Sequence, residues 1–222
     1  MASLPNGCLQ AGGEKLDVTI LMSDLRDFTR ISATLDPEHV AAMLNDYYSV
    51  LGKIIFQHEG TIDKFIGDAI LAVFSIPELN GAHAHKAVRA SLVMQNAVAE
   101  INTRRRAGNL PCCELGIGVH SGEVLQCFIG TADRFDLTVI GDTVNKAARY
   151  CAGAAGGQIM LGPKTNSFVE GKLATESTMI VTKHEGEMEA WLVKAGLVQF
   201  SCGHPLTNEF SQSISLYDEA AA

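Results

Sequence analysis

The sequence contains no apolar run close to the roughly 20 residues that a membrane-spanning helix requires. Its six cysteines include no Cys-x-x-Cys pair, which favours free thiols in a reducing compartment over a disulfide framework. Positive charge is also scarce: the net charge of −8 argues against a nucleic-acid-binding surface, although a few lysines and arginines could still hold a nucleotide. The start of the chain shows no basic segment followed by an apolar block. These absences predict a soluble cytoplasmic domain with no membrane segment, which could be the cytosolic part of a longer protein.

What is present is an ordinary globular composition, 47% hydrophobic and 19% charged. We expect a lead-in rich in small residues (1–14), one domain (15–195) and a polar tail of unknown role (196–222). Periodicity predicts helices at 37–59, 83–106 and 144–151, and strands at 16–22, 61–66, 69–74, 114–120, 124–129, 134–140, 158–161, 179–183 and 190–193. The order of these elements favours an α+β sandwich of the ferredoxin-like βαββαβ type, with helices on a mostly antiparallel sheet. Ser121-Gly122 is interpreted as a turn that joins two strands.

Two aspartates stand where strands are predicted to leave the core. Asp24 ends the apolar run 16–22, and Asp68 lies in the two-residue hairpin signal Gly67-Asp68. Taken alone, Asp24 is equally well explained as a helix cap, and Asp68 as a residue that its turn prefers. If the first strand and the hairpin are neighbours, both carboxylates reach one edge of the sheet. There they could hold two divalent ions about 3.5–4 Å apart.

Polar and cationic side chains further along the chain point to phosphate chemistry. Asn145 and Arg149 are one helical turn apart and share a face. The turn after Asp24 offers backbone N–H groups ahead of a helix, which is a suitable seat for phosphate oxygens. On their own, Arg149 would pair with a surface acid and Lys64 would face solvent. Gly116-Ile117-Gly118 lacks the full dinucleotide-binding fingerprint and is interpreted as a pair of strand glycines.

Over residues 16–194 these segments resemble the catalytic domain of the class III adenylyl and guanylyl cyclases. The resemblance is specific in three blocks, 23–29 (SDLRDFT), 63–69 (DKFIGDA) and 135–149 (FDLTVIGDTVNKAAR), and looser in 116–130 (GIGVHSGEVLQCFIG). Lys64 with Thr138 is similar to the family's lysine–threonine branch, which includes bacterial bicarbonate-responsive adenylyl cyclases. Departures from the family pattern include Asp27 and Cys127, each at a position where glycine is common.

The resemblance implies a reaction and a role for each residue. Asp24 and Asp68, with Leu25 beside them, would bind two Mg²⁺ or Mn²⁺ ions per active site. Asn145 would orient the ribose and Arg149 would stabilise charge on the α-phosphate. The 3′-oxygen of ATP would then attack the α-phosphorus, so that 3′,5′-cyclic AMP and pyrophosphate are formed.

Base choice and assembly also follow from the resemblance. Lys64 would donate to N1 of adenine and Thr138 would contact the exocyclic amine, whereas guanine-selective relatives typically carry glutamate and cysteine there. Further substrate contacts are implied for Phe28, Thr29 and Lys183. In the family, the metal aspartates and the base-reading residues of one site come from different subunits, which implies a homodimer. A guanylyl cyclase and a catalytically silent nucleotide-binding module are the alternatives. A covalently linked regulatory or sensor domain outside this chain is compatible with the adenylyl cyclase and with both alternatives.

Overall fold

The computed structural model describes residues 13–75, 81–131, 133–182 and 186–194. The strands are β1 (Glu14–Leu25), β2 (Thr61–Ile66), β3 (Ala69–Phe74), β4 (Leu115–Gly130), β5 (Phe135–Ile140), β6 (Ile159–Leu161), β7 (Thr175–Thr182) and β8 (Gly186–Val193). The helices are α1 (Phe28–Ser32), α2 (Pro37–Gln57), α3 (Ala82–Ala107), α4 (Asp142–Gly153) and α5 (Pro163–Val169). The predicted substrate residue Lys183 and the predicted tail 196–222 lie outside the described residues, as does most of the lead-in.

The strands form one sheet in the order β2-β3-β1-β4-β6-β8-β7, and β5 pairs with the second half of β4. The β4–β6 pair is parallel, and the other pairs are antiparallel. Apart from the short α1, the chain from β1 to β4 follows the βαββαβ order. The predicted α+β class with a mostly antiparallel sheet is therefore confirmed.

Strand β1 lies inside the sheet, between β3 and β4, and is buried on both faces from Val18 onward. Leu21 and Leu25 pack in the core cluster formed with α2 and α3. Val18, Ile20 and Met22 point to the opposite face, where Ala147 and Cys151 of α4 cover them. Because both faces are covered, the strand is a continuous apolar run instead of an alternating one. Asp24 ends that run, close to the hairpin between β2 and β3.

The strand pair predicted across Ser121-Gly122 is wrong, because β4 is a single strand of 16 residues. Gly122 lies opposite Val18 in the ladder with β1, and Ser121 lies opposite Thr19. The dipeptide stays extended because twelve residues of β1 pair along the strand and outweigh a local turn preference. Gly122 instead allows α4 to pack closely on β4, since a side chain at this position would collide with Thr143 of α4.

Helix α5 and the full length of the last strands were missed, and α1 was expected after the Asp24 turn only without bounds. Helix α1 has five residues and α5 has seven, which is too short for an apolar periodicity to show. Strand β7 begins before the predicted 179, and β8 before the predicted 190. Cys112, Cys113, Cys127 and Cys151 are free thiols, as predicted, while Cys8 and Cys202 lie outside the described residues. In the part of the chain that the structure covers, no helix is both long enough and apolar enough to span a membrane.

Candidate active site

The structure brings Asp24 and Asp68 together at one end of the sheet. Strand β1 pairs antiparallel with β3, and this register sets Asp24 opposite Ala69, the residue after Asp68. The tight turn between β2 and β3 depends on Gly67, whose φ of 63° lies in the left-handed region. Asp68 therefore stands at the tip of a hairpin that is anchored to the central strand.

Negative charge is concentrated around this pair. Burial and the nearby Asp24 carboxylate raise the pKa of Asp68, while backbone N–H groups of Asp68 and Leu25 and the Arg26 guanidinium act in the opposite direction. Burial together with Asp68 and Asp24 also raises the pKa of Tyr48 to about 12. Because the Asp24 carboxylate disfavours ionisation of Asp68, a cation bound beside the two side chains would be stabilised.

Arg26 fixes the position of Asp24. Its Nη1 pairs with the Asp24 carboxylate, its Nη2 donates to the carbonyl of Cys151, and its Nε donates to the carbonyl of Ala154 at 3.0 Å. Glycine at position 116 makes room for this guanidinium, because a side chain there would overlap it. The helix-cap explanation for Asp24 is wrong, since Asp27 occupies the N-cap position of α1.

The residues present fit a divalent ion that is shared with substrate. Within the described ranges, no group of three or more histidine, cysteine, aspartate or glutamate side chains could hold a metal. Mg²⁺ is usually bound by one or two carboxylates together with substrate phosphates, not by an all-protein cage. Asp24 and Asp68, with the backbone of Leu25 beside them, match that kind of site.

The turn from β1 into α1 is the predicted phosphate seat. Asp27 has a φ of 63°, in the left-handed region, where glycine is favoured and aspartate is tolerated better than most residues. Its carboxylate lies 3.5 Å from Nε of Arg30. Phe28 packs against the core cluster of α2 and α3, whereas Thr29 is exposed. The ring of Phe28 thus holds the turn in place, and Thr29 is free to meet a ligand.

The two predicted base-reading residues meet at a third residue, Asp63. Asp63 Oδ2 accepts a hydrogen bond from Thr138 Oγ1 at 2.8 Å and lies 3.4 Å from Lys64 Nζ. Asp63 Oδ1 accepts from the backbone N–H of Val139 at 3.3 Å. The Asp63 side chain is only 6% exposed and Thr138 only 5%, whereas the Lys64 side chain is 42% exposed. These contacts join β2 to β5, which are not neighbours in the sheet.

Helix α4 carries the predicted Asn145 and Arg149 on one face. It packs tightly on β4 at Gly118, where the backbone of α4 comes so close that a side chain at position 118 would collide with it. Asp142 in its first turn pairs with Lys146 at 2.7 Å, and this ion pair lowers the pKa of Asp142. Asn145 is exposed and Arg149 is half-buried, so both remain on the outer side of the helix.

In the protomer these residues form separate groups. Among the described residues, Asp63 contacts Lys64, Thr138 and Val139. None of these three residues is among those that shift the pKa of Asp68, which are Asp24, Leu25 and Arg26. Arg26 and Asp63 had no predicted role, although each directly adjoins a predicted residue. Tyr48 was also not predicted, and its hydroxyl donates to the carbonyl of Gly67 at 2.6 Å and holds the hairpin tip.

Comparison with known proteins shows the family. The family described as adenylate and guanylate cyclase catalytic domain matches residues 12–198. Adenylate cyclase 1 of Rhizobium meliloti (strain 1021) is 35% identical over 133 residues, which make up 60% of this chain and 20% of that protein. An adenylate cyclase of Anabaena cylindrica is 40% identical over 136 residues, 60% of this chain and 26% of that protein. The chain thus spans about a quarter or less of these curated relatives.

Solved structures agree with the fold over most of the chain. The guanylyl cyclase Cya2 has a TM-score of 0.76 at 35% identity, covering 82% of this chain and 93% of that one. The adenylyl cyclase CyaB from P. aeruginosa has a TM-score of 0.79 at 26% identity, covering 83% and 97%. The chain belongs to the adenylate and guanylate cyclase catalytic domain family.

Proposed function

We propose that this domain converts ATP to 3′,5′-cyclic AMP and pyrophosphate. The observation that carries the proposal is the Asp24–Asp68 pair, whose mutual repulsion suits it to hold divalent cations beside a nucleotide triphosphate. The matched relatives from Rhizobium and Anabaena are named adenylate cyclases, but Cya2 is a guanylyl cyclase at comparable identity. The choice of ATP therefore rests on Lys64 and Thr138.

Two Mg²⁺ or Mn²⁺ ions bound at Asp24 and Asp68 would lower the pKa of the ribose 3′-hydroxyl and neutralise the triphosphate. Arg26 keeps the Asp24 carboxylate in place through its pairing and its anchorage to the end of α4. Asn145 orients the ribose, and Arg149 donates to the α-phosphate oxygens as negative charge develops there. The 3′-oxygen forms a bond to the α-phosphorus, the bond to pyrophosphate breaks, and the hydroxyl proton passes to solvent.

We propose further that the active unit is a homodimer with two shared sites. Large apolar side chains between 41% and 50% exposed cluster on the β2–β3 hairpin and along β4 and β5, namely Phe65, Ile66, Phe128, Ile129, Leu137 and Ile140. A soluble protein normally covers surfaces of this kind with a partner. The separation of the Asp63 group from the Asp68 group within one protomer supports a site that a second copy completes.

Turnover with ATP and with GTP, under Mg²⁺ or Mn²⁺ and at several protein concentrations, tests the reaction. We expect cyclic AMP as the main product, with a rate that rises more than linearly with protein. A preference for GTP would instead support the guanylyl alternative that Cya2 represents. No product under any condition would contradict the proposal and favour the silent module.

Mixing two inactive variants tests the shared site. Asp68→Ala alone and Asn145→Ala alone should each lose about 10²–10³ in kcat. An equimolar mixture should regain about a quarter of the parent activity, because half of the dimers are mixed and each of these has one intact site. The control is a mixture of Asp68→Ala with Asp24→Ala, which damages the same half-site in both copies and should stay inactive. If mixed dimers form and the first mixture also stays inactive, the shared-site model is wrong.

A further inference from the structure

We infer that Asp63 helps to determine base specificity, because its carboxylate accepts a hydrogen bond from the Thr138 hydroxyl and leaves that hydroxyl able only to accept a hydrogen bond from the base. This inference rests on the proposed function, since it concerns how the same site distinguishes adenine from guanine. It adds to Lys64 and Thr138 a residue that need not touch the base.

The direction of the hydrogen bond follows from its partners. A carboxylate oxygen has no proton to give, so in the 2.8 Å bond between Thr138 Oγ1 and Asp63 Oδ2 the hydroxyl is the donor. The backbone N–H of Val139 occupies the other carboxylate oxygen at 3.3 Å. Because the Asp63 side chain is 6% exposed, water has little access to take over either bond. The hydroxyl proton of Thr138 is therefore fixed toward Asp63.

This arrangement favours adenine over guanine at two atoms. A hydroxyl whose proton is already used offers lone pairs, which accept a hydrogen bond from the exocyclic amine of adenine. Guanine carries a carbonyl oxygen at the same ring position, and two acceptors would then face each other. The Lys64 ammonium, 3.4 Å from the same carboxylate, is only a donor, so it suits the bare N1 of adenine and opposes the N1–H of guanine.

A local irregularity of β2 places Asp63 where it can act. The pairing of β2 with β3 shifts register between Ile62 and Lys64, so Asp63 is the extra residue of a β-bulge. On a regular strand Asp63 and Lys64 would point to opposite faces. The bulge instead lets both side chains approach each other and lets Asp63 reach Thr138 on the non-adjacent β5. A purely structural link between β2 and β5 is the competing explanation.

The test is Asp63→Asn, measured as the ratio of kcat/KM for ATP to kcat/KM for GTP. The Val139 N–H requires the amide oxygen on its side, which turns the amide nitrogen toward Thr138 Oγ1. The hydroxyl must then accept from that nitrogen, and its freed proton can bind the guanine carbonyl. We expect the ATP/GTP ratio to fall about tenfold or more, because the site would no longer leave the guanine carbonyl without a hydrogen-bond donor.

The charge-matched control is Asp17→Asn. It removes a carboxylate that is paired with Lys164 at 2.8 Å on the exposed surface, and it should leave the ratio unchanged.

A double variant separates specificity from stability. In a Thr138→Val background there is no hydroxyl to orient, so adding Asp63→Asn should no longer move the ratio, whatever its effect on the melting temperature. Competition of ATP and GTP against a fluorescent ATP analogue gives the same ratio from binding, so a weakly active variant still yields a result.

If the parent prefers ATP and Asp63→Asn leaves the ATP/GTP ratio unchanged, this inference alone is overturned. A parent that prefers GTP overturns both the inference and the proposed function, and a parent that binds ATP selectively without turnover overturns only the proposed reaction.

Discussion

Asp27 occupies a backbone conformation for which glycine is better suited, and it adds a negative charge beside the predicted phosphate seat. The conformation costs stability, and the charge opposes nucleotide binding, although the nearby Arg30 offsets part of that charge. We expect Asp27→Gly to lower the KM for ATP about two- to fivefold, which corresponds to an exposed charge interaction of up to about 1 kcal/mol. Steady-state kinetics at low and high salt measure this, and the gain should shrink as salt screens the charge.

Asp27→Asn is the matched control, because asparagine also tolerates the left-handed conformation but carries no charge. Equal gains in both variants assign the effect to charge, and a gain in the glycine variant alone assigns it to the backbone. An unchanged or higher KM in both would show that the turn does not approach the triphosphate.

The placement of α4 on β4 determines where Asn145 and Arg149 stand. A methyl group at Gly118 would collide with the backbone of Cys151 and Ala147, so Gly118→Ala must push the helix outward. We expect this variant to lose about 1–3 kcal/mol of unfolding free energy. We also expect kcat to fall about 10²-fold, because a shift of about 1 Å in a positioning group is enough for such a loss.

Gly108→Ala provides the comparison for that experiment. Gly108 follows α3, and the nearest atom to an added methyl would lie at an ordinary 3.6 Å. Its effect should stay within about 0.5 kcal/mol, with kcat unchanged. If Gly118→Ala unfolds the protein no more easily than Gly108→Ala does and keeps the parent kcat, the packing argument fails.

The same elements show what the sequence could and could not predict. The β2–β3 hairpin was predicted because Gly67-Asp68 is a local signal, and α2 was predicted because its apolar residues repeat along one face. The turn at Ser121-Gly122 was wrong because a local preference yielded to pairing with a strand about a hundred residues away. The Asp63–Thr138 contact could not be predicted at all, since it depends on a bulge and on strands that are not sheet neighbours.

Across the whole molecule, buried histidines link stability to pH. Burial, helped by the nearby Lys146, lowers the pKa of His120 to about 4, and burial also lowers the pKa of His83. Because the unfolded chain takes up a proton near pH 6.5 and the folded chain does not until lower pH, stability is lost as the pH falls from about 6.5 toward 4. We expect His120 to account for about 2–3 kcal/mol of this loss, measured by urea unfolding at pH 7 and pH 4.5.

His120→Leu should reduce that pH dependence without abolishing it, since His83 remains. The comparison is His39→Gln, which removes an exposed histidine and so measures the effect of losing an imidazole outside the core. An identical pH dependence in His120→Leu and the parent would mean that His120 does not titrate between the two states.

The length of β4 carries a consequence for how this domain can diverge. Its first half holds Gly118 against α4, and its second half aligns Cys127 with Thr138. Since side chains alternate along a strand, one inserted or deleted residue between these points would rotate the base-reading end relative to the catalytic helix by half a turn. We therefore expect insertions and deletions among relatives to avoid this strand and to collect in the loops that connect strands and helices. The length of β4 therefore fixes the position of Thr138 relative to α4 and cannot change by a single residue.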